Sequence, residues 1–116
     1  MSCLFRSLAI FINIGTDNLR QKICDFLEEN PKLIDGKNNS LRVSDIVSED
    51  FFLLYIKNMR NAETWGGGIE IKAFCEIYEY QVNVTIPNDK IISFYPKGLP
   101  VRIINISWTG NHFTSN

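Results

Sequence analysis

The chain has 116 residues, of which 45% are hydrophobic and 22% charged, and its net charge is −1 at pH 7. These values are typical of one globular domain with a sizeable core, and they exclude both the basic surface of a nucleic-acid-binding protein and an apolar run long enough to cross a bilayer. No basic stretch precedes the first apolar run, so we do not expect a secretory signal peptide.

The three cysteines, Cys3, Cys24 and Cys75, lie far apart in the sequence. This spacing contains no Cys-x-x-Cys pair of the kind found in zinc and redox sites. Unpaired thiols are typical of a reducing compartment, so we expect a cytoplasmic, intracellular protein. Cys24 and Cys75 lie inside apolar helical patterns, which predicts that both are small buried hydrophobic residues.

Two helices are predicted near the N-terminus. Residues 3–13 are almost entirely apolar, which predicts a helix buried on most sides with Cys3 in its first turn, where unpaired N–H groups and the helix dipole favour a thiolate. A second helix is predicted over residues 18–29, with Thr16 or Asp17 as its N-cap. Its buried stripe is predicted to comprise Leu19, Ile23, Phe26 and Leu27, and its solvent-facing side Arg20, Gln21, Lys22, Glu28 and Glu29.

The middle of the chain predicts a loop and a third helix. Residues 32–45 are polar, so they form either a plain surface connection or a substrate-facing insertion. Ser48 is a good N-cap, and Glu49 and Asp50 place negative charge in the first turn of the helix that follows. This helix ends near residue 61. Its core face is predicted to comprise Phe51, Phe52, Tyr55, Ile56 and Met59.

Three consecutive glycines follow Trp65. A phosphate-binding loop would need a strand before the glycines and Lys-Ser or Lys-Thr after them, and neither is present. We therefore predict a tight turn between helices, with Trp65 anchored on the core, and a fourth helix over residues 69–78. The inward-facing residues of this helix are predicted to be Ala73, Phe74 and Ile77.

After residue 80 the hydrophobic period changes from helical to two. Val82, Val84 and Ile86 alternate with polar residues, which predicts a half-buried strand. Further strands are predicted over residues 90–95 and 101–107, and the β-branched residues of the last one favour a central place in the sheet. The fold class is therefore α+β, with N-terminal helices packed against a small, mostly antiparallel C-terminal sheet.

The single histidine, His112, lies just beyond the third predicted strand. A thiol at the start of a helix and an imidazole after a strand form a nucleophile and its base if folding brings them together. This is the layout of papain-like cysteine hydrolases. The alternatives are that Cys3 belongs to a loose tail and that His112 is structural.

Four blocks of sequence, in order, resemble the OTU (ovarian tumour) domain, a family of cysteine proteases that remove ubiquitin from proteins. CLFRSL at residues 3–8 resembles the family's nucleophile block, Asp-Gly-x-Cys-Leu-Phe-Arg, and residues 19–31 are similar to its second-helix block. Residues 55–71, with TWGG, resemble its Trp-Gly-Gly block, and NHF at residues 111–113 resembles its terminal Asn-His-aromatic block. Residues 1–116 are thus expected to form a single OTU-type, papain-like domain that lacks the usual segment before the nucleophile.

The resemblance implies a role for each matched residue. Cys3 attacks the carbonyl at the end of ubiquitin's tail, and His112 accepts the thiol proton and later protonates the leaving lysine amine. Free ubiquitin is released through a thioester, and neither a metal nor a cofactor is implied. The expected partners are conjugates of ubiquitin or a ubiquitin-like protein, bound by a monomer that engages neither nucleic acid nor membrane. Trp65, Gly66 and Gly67 are expected to be mainly structural.

Two departures from the family pattern leave an alternative open. The Asp-Gly-x that supplies oxyanion donors is absent before Cys3, and losing one such donor typically costs on the order of 10²–10³ in rate. The residue two positions after the histidine, usually Asp or Asn, is Thr114, so Thr114, Asn111 and Asn116 are the candidates to orient the imidazole. The alternative is a catalytically impaired or truncated OTU-fold module that binds ubiquitin or another protein without cleaving it. An unrelated α+β binding domain is a third reading.

Overall fold

The computed structural model describes residues 3–30 and 49–115. Within these ranges, helices α1 (Cys3–Ile12), α2 (Thr16–Glu29), α3 (Glu49–Met59) and α4 (Gly68–Tyr78) precede the strands β1 (Tyr80–Ile86), β2 (Lys90–Phe94), β3 (Arg102–Trp108) and β4 (Phe113–Ser115). The order of helices and strands confirms the predicted α+β class. The predicted loop at residues 32–45, the predicted cap Ser48, the side chain of Phe51 and the candidate Asn116 lie outside the described part of the chain.

The sheet has the strand order β2-β1-β3-β4. Strand β1 pairs antiparallel with β2 and parallel with β3, and β3 pairs antiparallel with β4. The sheet is thus mostly antiparallel, and β3 lies inside it, as predicted. The parallel pair arises because the chain leaves β2 at one edge and crosses β1 through residues 95–101. Strand β4 was not predicted, because three residues are too few to show a period of two.

One face of the sheet packs against the helices. Val82 and Val84 of β1 and Ile104 and Ile106 of β3 are buried on this face, which is the alternation expected of a half-covered sheet. Helices α1 and α4 lie against the sheet, and α2 packs on α1, α3 and α4. Among the described residues, no helix is both long and apolar enough to span a membrane.

Helix α2 begins earlier than its polar residues suggest. Its N-cap is Gly15, whose carbonyl accepts the backbone N–H of Leu19 at 3.0 Å, and this cap uses no side chain. The prediction of Thr16 or Asp17 as the cap is therefore wrong, because both residues lie inside the first turn. Asp17 there places a negative charge near the positive end of the helix dipole.

Candidate active site

Cys3 is the first residue of α1, and its side chain is partly exposed. The next two residues, Leu4 and Phe5, are buried in the core. The Ser7 hydroxyl donates to the Cys3 carbonyl at 2.8 Å. Cys3 is therefore partly exposed, while the turn that carries it is held by core packing.

His112 lies in the turn between β3 and β4, and its side chain is exposed. Its carbonyl accepts the backbone N–H of Thr109 at 2.9 Å. Trp108 and Phe113 are paired across the turn, with ring centroids 6.4 Å apart. These contacts fix the backbone on both sides of the imidazole.

The elements that carry these two residues are neighbours in the fold. Helix α1, which opens with Cys3, packs against β3 and β4, and β4 begins directly after His112. The two candidate residues therefore come from opposite ends of the sequence to adjoining elements. Their direct pairing stays a prediction.

The candidates for orienting the imidazole lie on either side of His112. Oδ1 of Asn111 accepts the Thr109 hydroxyl at 3.2 Å, so this amide is engaged within the turn. Thr114 is exposed and pairs with Ser107 of β3 in the sheet register. The orienting role of either residue stays a prediction.

Gly66 contacts the turn of α1 that carries Cys3. A Cβ atom built at Gly66 would lie 2.8 Å from Leu4 Cδ2 and 3.0 Å from Phe5 Cε2. No side chain fits at such distances unless the core moves. Gly66 thus provides close packing against the first turn of α1.

A buried carboxylate holds the neighbouring Gly67. Glu70 is 1% exposed; its Oε1 accepts the backbone N–H of Gly67 at 2.7 Å, and its Oε2 accepts the Tyr55 hydroxyl at 2.5 Å. Burial raises the pKa of Glu70, and the two hydrogen bonds partly offset this shift. Burial and the nearby carboxylate raise the pKa of Tyr55, so its phenol stays protonated and donates. This carboxylate therefore joins α3 to the N-terminus of α4.

Arg20 of α2 is buried, so the prediction that it faces solvent is wrong. It was assigned to the solvent-facing side, but it is 0% exposed, and its guanidinium lies 4.2 Å from the centroid of the Phe5 ring. Its Nη1 donates to the Met59 carbonyl at 2.7 Å and its Nη2 to the Ala62 carbonyl at 3.3 Å. Burial lowers the pKa of Arg20. The buried guanidinium thus binds one carbonyl at the C-terminal end of α3 and one in the turn that follows it.

The expected anchoring of Trp65 on the core is wrong. The Trp65 side chain is 48% exposed, and the residue that packs against Leu4 and Phe5 is its neighbour Gly66. Trp65 instead lines an open cleft of about 320 Å³. The other residues lining this cleft are Tyr55, Met59, Thr64, Gly66, Gly67, Gly68, Ile69 and Glu70.

Comparison with known proteins identifies the family. A model of the family described as OTU-like cysteine protease matches residues 2–110 of the chain. The chain belongs to the OTU family. The match covers the first three blocks that carry the resemblance and ends just before the fourth, so it contains Cys3 but not His112.

Three relatives show how far the OTU likeness extends. A solved OTU domain in complex with ubiquitin is 26% identical, with a TM-score of 0.72, and the match covers 98% of this chain and 62% of that one. The OTU domain of OTUD1 is 15% identical, with a TM-score of 0.74, over 98% of this chain and 77% of that one, and this likeness concerns the fold. The protein named "Putative ubiquitin thioesterase 232R", from Invertebrate iridescent virus 3, is 28% identical over 134 aligned positions. That match covers 98% of this chain and 14% of the viral protein.

In this OTU domain, three supporting residues were missed from the sequence. Glu70 follows Gly67 by three positions, which is the capping-box spacing, so this pair was recognisable. The hydrogen bond from Tyr55 could not be recognised in the sequence, because aromatic spacing on α3 indicates burial but does not identify a partner for the hydroxyl. Arg20 lies beside Leu19 among polar residues, and nothing local distinguishes it from a surface cation.

Proposed function

We propose that this OTU domain is a cysteine hydrolase that cleaves ubiquitin isopeptide linkages, with Cys3 as nucleophile and His112 as general base. The observation that carries the proposal is the packing of α1 against β4, which supports a meeting of the thiol and the imidazole. The names of two relatives add support, since one is a ubiquitin thioesterase by name and another was solved in complex with ubiquitin.

The proposed reaction proceeds through a thioester. His112 takes the Cys3 proton, and the sulfur bonds to the carbonyl carbon at the C-terminus of ubiquitin. The C–N bond then breaks, and the imidazolium gives its proton to the leaving lysine amine. Water, deprotonated by the same imidazole, attacks the thioester, which releases ubiquitin with a free carboxylate and restores the thiol. At the start of α1, the N-terminal helix dipole favours the thiolate.

A ubiquitin probe with a C-terminal electrophile tests this function. The wild-type protein is expected to form a covalent adduct, and Cys3→Ala is expected to abolish it. Cys75→Ala is the matched control, because Cys75 is fully buried and should leave labelling intact. Labelling that survives Cys3→Ala would rule out the proposed nucleophile.

A second candidate function is a module that binds ubiquitin without cleaving it. Thr114 favours it, because a hydroxyl carries no charge to stabilise an imidazolium. Replacing the orienting Asp costs about 10⁴ in a serine triad, although a thiol depends less on its base. Saturable binding of ubiquitin chains with no cleavage of any linkage would identify such a module.

If the domain is a protease, Thr114→Asp is expected to raise kcat several-fold, since a carboxylate at this position would hold the imidazole and stabilise its charged form. The matched variant Thr114→Val keeps the shape of the side chain but removes the hydroxyl, so it should lower kcat. Steady-state cleavage of a fluorogenic ubiquitin C-terminal amide measures both. Equal kcat values in all three proteins would show that residue 114 does not orient the histidine.

A further inference from the structure

The carboxylate of Glu70 connects elements that are distant in sequence. It accepts hydrogen bonds from Tyr55 of α3 at 2.5 Å and from the backbone of Gly67 at 2.7 Å. Both oxygens of the carboxylate are therefore used, and both partners belong to the scaffold. Burying a carboxylate costs free energy unless it is hydrogen-bonded. If position 70 only filled space in the core, an apolar side chain would do so without this cost.

The turn that Glu70 holds also contacts the first turn of α1. Gly66, next to Gly67, packs so closely on α1 that a Cβ atom there would lie 2.8 Å from Leu4 Cδ2 and 3.0 Å from Phe5 Cε2. These two residues directly follow Cys3. A continuous series of contacts thus runs from Glu70 through the glycine turn to the backbone that carries the thiol.

The same turn of α1 is held by a second contact. The Arg20 guanidinium lies 4.2 Å from the centroid of the Phe5 ring, and its Nη1 donates a hydrogen bond to the Met59 carbonyl. Phe5 is therefore in contact with both the glycine turn and Arg20. Any shift of the glycine turn must be followed by the residues beside Cys3, because interiors are close-packed and transmit displacement.

We propose that Glu70 is a positioning residue for the Cys3 thiol: its carboxylate fixes the turn at Gly66 and Gly67, and this turn sets where the start of α1 lies. The inference rests on the proposed function of Cys3 as a nucleophile. Glu70 itself touches neither substrate nor the reacting atoms. Glu70 acts on the orientation of the thiol. Its removal should therefore lower kcat and leave the binding of ubiquitin unchanged.

Four variants test the proposal. Glu70→Ala removes both hydrogen bonds, and Tyr55→Phe removes one of them. Glu70→Gln keeps both, because its amide oxygen accepts from Gly67 while its amide nitrogen donates to the Tyr55 oxygen. Cys75→Ala is the control, since it removes a fully buried side chain from the same helix without touching the carboxylate. Tyr55→Phe and Glu70→Gln keep the proposal testable if Glu70→Ala does not fold.

The first readout is steady-state cleavage of a fluorogenic ubiquitin C-terminal amide. Glu70→Ala is expected to lower kcat by roughly 10–100-fold, since a misplacement near 1 Å costs up to about 100-fold, and Tyr55→Phe should show a smaller loss. KM should stay within about twofold in all variants. Glu70→Gln should restore most of kcat, and Cys75→Ala should retain it although it loses stability.

The second readout does not depend on ubiquitin. The rate of Cys3 alkylation by iodoacetamide near neutral pH, followed by peptide mass spectrometry, reports the surroundings of the sulfur. Glu70→Ala is expected to slow it several-fold, and Glu70→Gln to keep it near the wild-type rate. Equal kcat values and equal alkylation rates in the folded variants would overturn the positioning role, even if all of them melt at lower temperature. Failure of the wild type to react with any ubiquitin substrate would overturn the proposed function, and alkylation alone would then decide the role of Glu70.

Discussion

The absence of a side chain at Gly66 allows the glycine turn to pack against the first turn of α1. The end of the Leu4 side chain is flexible, whereas the Phe5 ring is fully buried among core residues and has less freedom to shift. Gly67 is different, because its φ of −152° is ordinary extended backbone and a Cβ atom there would meet nothing within 4 Å. A side chain is therefore excluded by close packing at Gly66 but not at Gly67.

Substitution by alanine should separate the two glycines. Gly66→Ala overpacks the core and is expected to lower the free energy of unfolding by about 1–3 kcal/mol. Gly67→Ala, its neighbour and control, should change it by no more than about 0.5 kcal/mol. Urea unfolding of both variants gives the two values, and similar losses would show that the contact at Gly66 does not limit the packing.

Glu70 predicts a pH dependence of stability. Burial raises the pKa of Glu70 above its ordinary value of 4.5, so between these two pKa values the folded protein binds a proton more readily than the unfolded chain. The free energy of unfolding that Glu70 contributes therefore falls as pH rises from the unfolded-state pKa to the folded-state pKa. Above the folded-state pKa, the full free-energy cost of burying the ionised carboxylate is present. Glu70→Gln does not titrate, so its stability relative to wild type should increase as pH rises from about 4 to about 8.

Urea midpoints of both proteins across this pH range provide the measurement for Glu70. Cys75→Ala serves as the control, because burial raises the pKa of the Cys75 thiol to about 12 and its difference from wild type should not vary below pH 8. A constant difference between wild type and Glu70→Gln would contradict the direction of the shift.

At the scale of elements, α2 and α3 are joined by two different kinds of contact. The buried one is Arg20, whose guanidinium binds carbonyl groups at the end of α3 and covers the Phe5 ring. The exposed one is the ion pair between Arg60 and Asp25 at 2.8 Å. Water weakens the second contact far more than the first, since exposed ion pairs are screened and pay side-chain entropy.

Removing each contact should therefore have unequal cost. Arg20→Met, which keeps much of the volume, is expected to destabilise the protein by about 2 kcal/mol or more, because hydrogen bonds from a buried charge are lost. Asp25→Asn should cost at most about 1 kcal/mol. Thermal and urea unfolding of the two variants compare these costs directly, and an Arg20→Met protein as stable as Asp25→Asn would assign Arg20 no structural role.

Sequence patterns predicted these elements where local periodicity decides the structure. The predicted bounds of the first and fourth helices lie within one residue of α1 and α4, because each buries an apolar stripe. The parallel pairing of β1 with β3 could not be predicted, since it depends on how residues 95–101 cross the sheet. Arg20 was likewise assigned to the wrong surroundings, because it is placed by contacts with residues distant in sequence. Trp65 was assigned to the core, but its side chain is exposed. In the candidate site, Cys3 and His112 were predicted from the thiol and imidazole pattern and from the family blocks, and their roles stay predictions. The hydrogen bond from Tyr55 to Glu70 became visible only in the fold.

For the whole molecule, the three thiols divide into two classes. Cys3 is partly exposed, whereas Cys24 and Cys75 are 0% exposed, as predicted from their apolar surroundings. Burial raises the pKa of Cys24 to about 11 and that of Cys75 to about 12. Neither buried thiol is therefore reactive while the core is closed, because the thiolate is the reactive form.

Thiol labelling should follow this division. In the native protein at neutral pH, iodoacetamide is expected to modify Cys3 alone, and Cys24 and Cys75 should react together only when the protein unfolds. Peptide mass spectrometry across a urea series measures the three rates, with fully unfolded protein as the reference for maximal reactivity. Different onset concentrations for Cys24 and Cys75 would reveal separate opening of the helical layer and the sheet side of the core.

The packing of α1 on β4 has a consequence for synthesis of the protein. A ribosome makes α1 before β4, and at about 5–20 residues per second α1 waits roughly 5–20 s for this neighbour. During that interval the apolar face of α1 that packs on β4 stays exposed, and the strand that follows His112 is not yet beside α1. A nascent chain therefore cannot assemble the proposed catalytic pair until β4 has been synthesised.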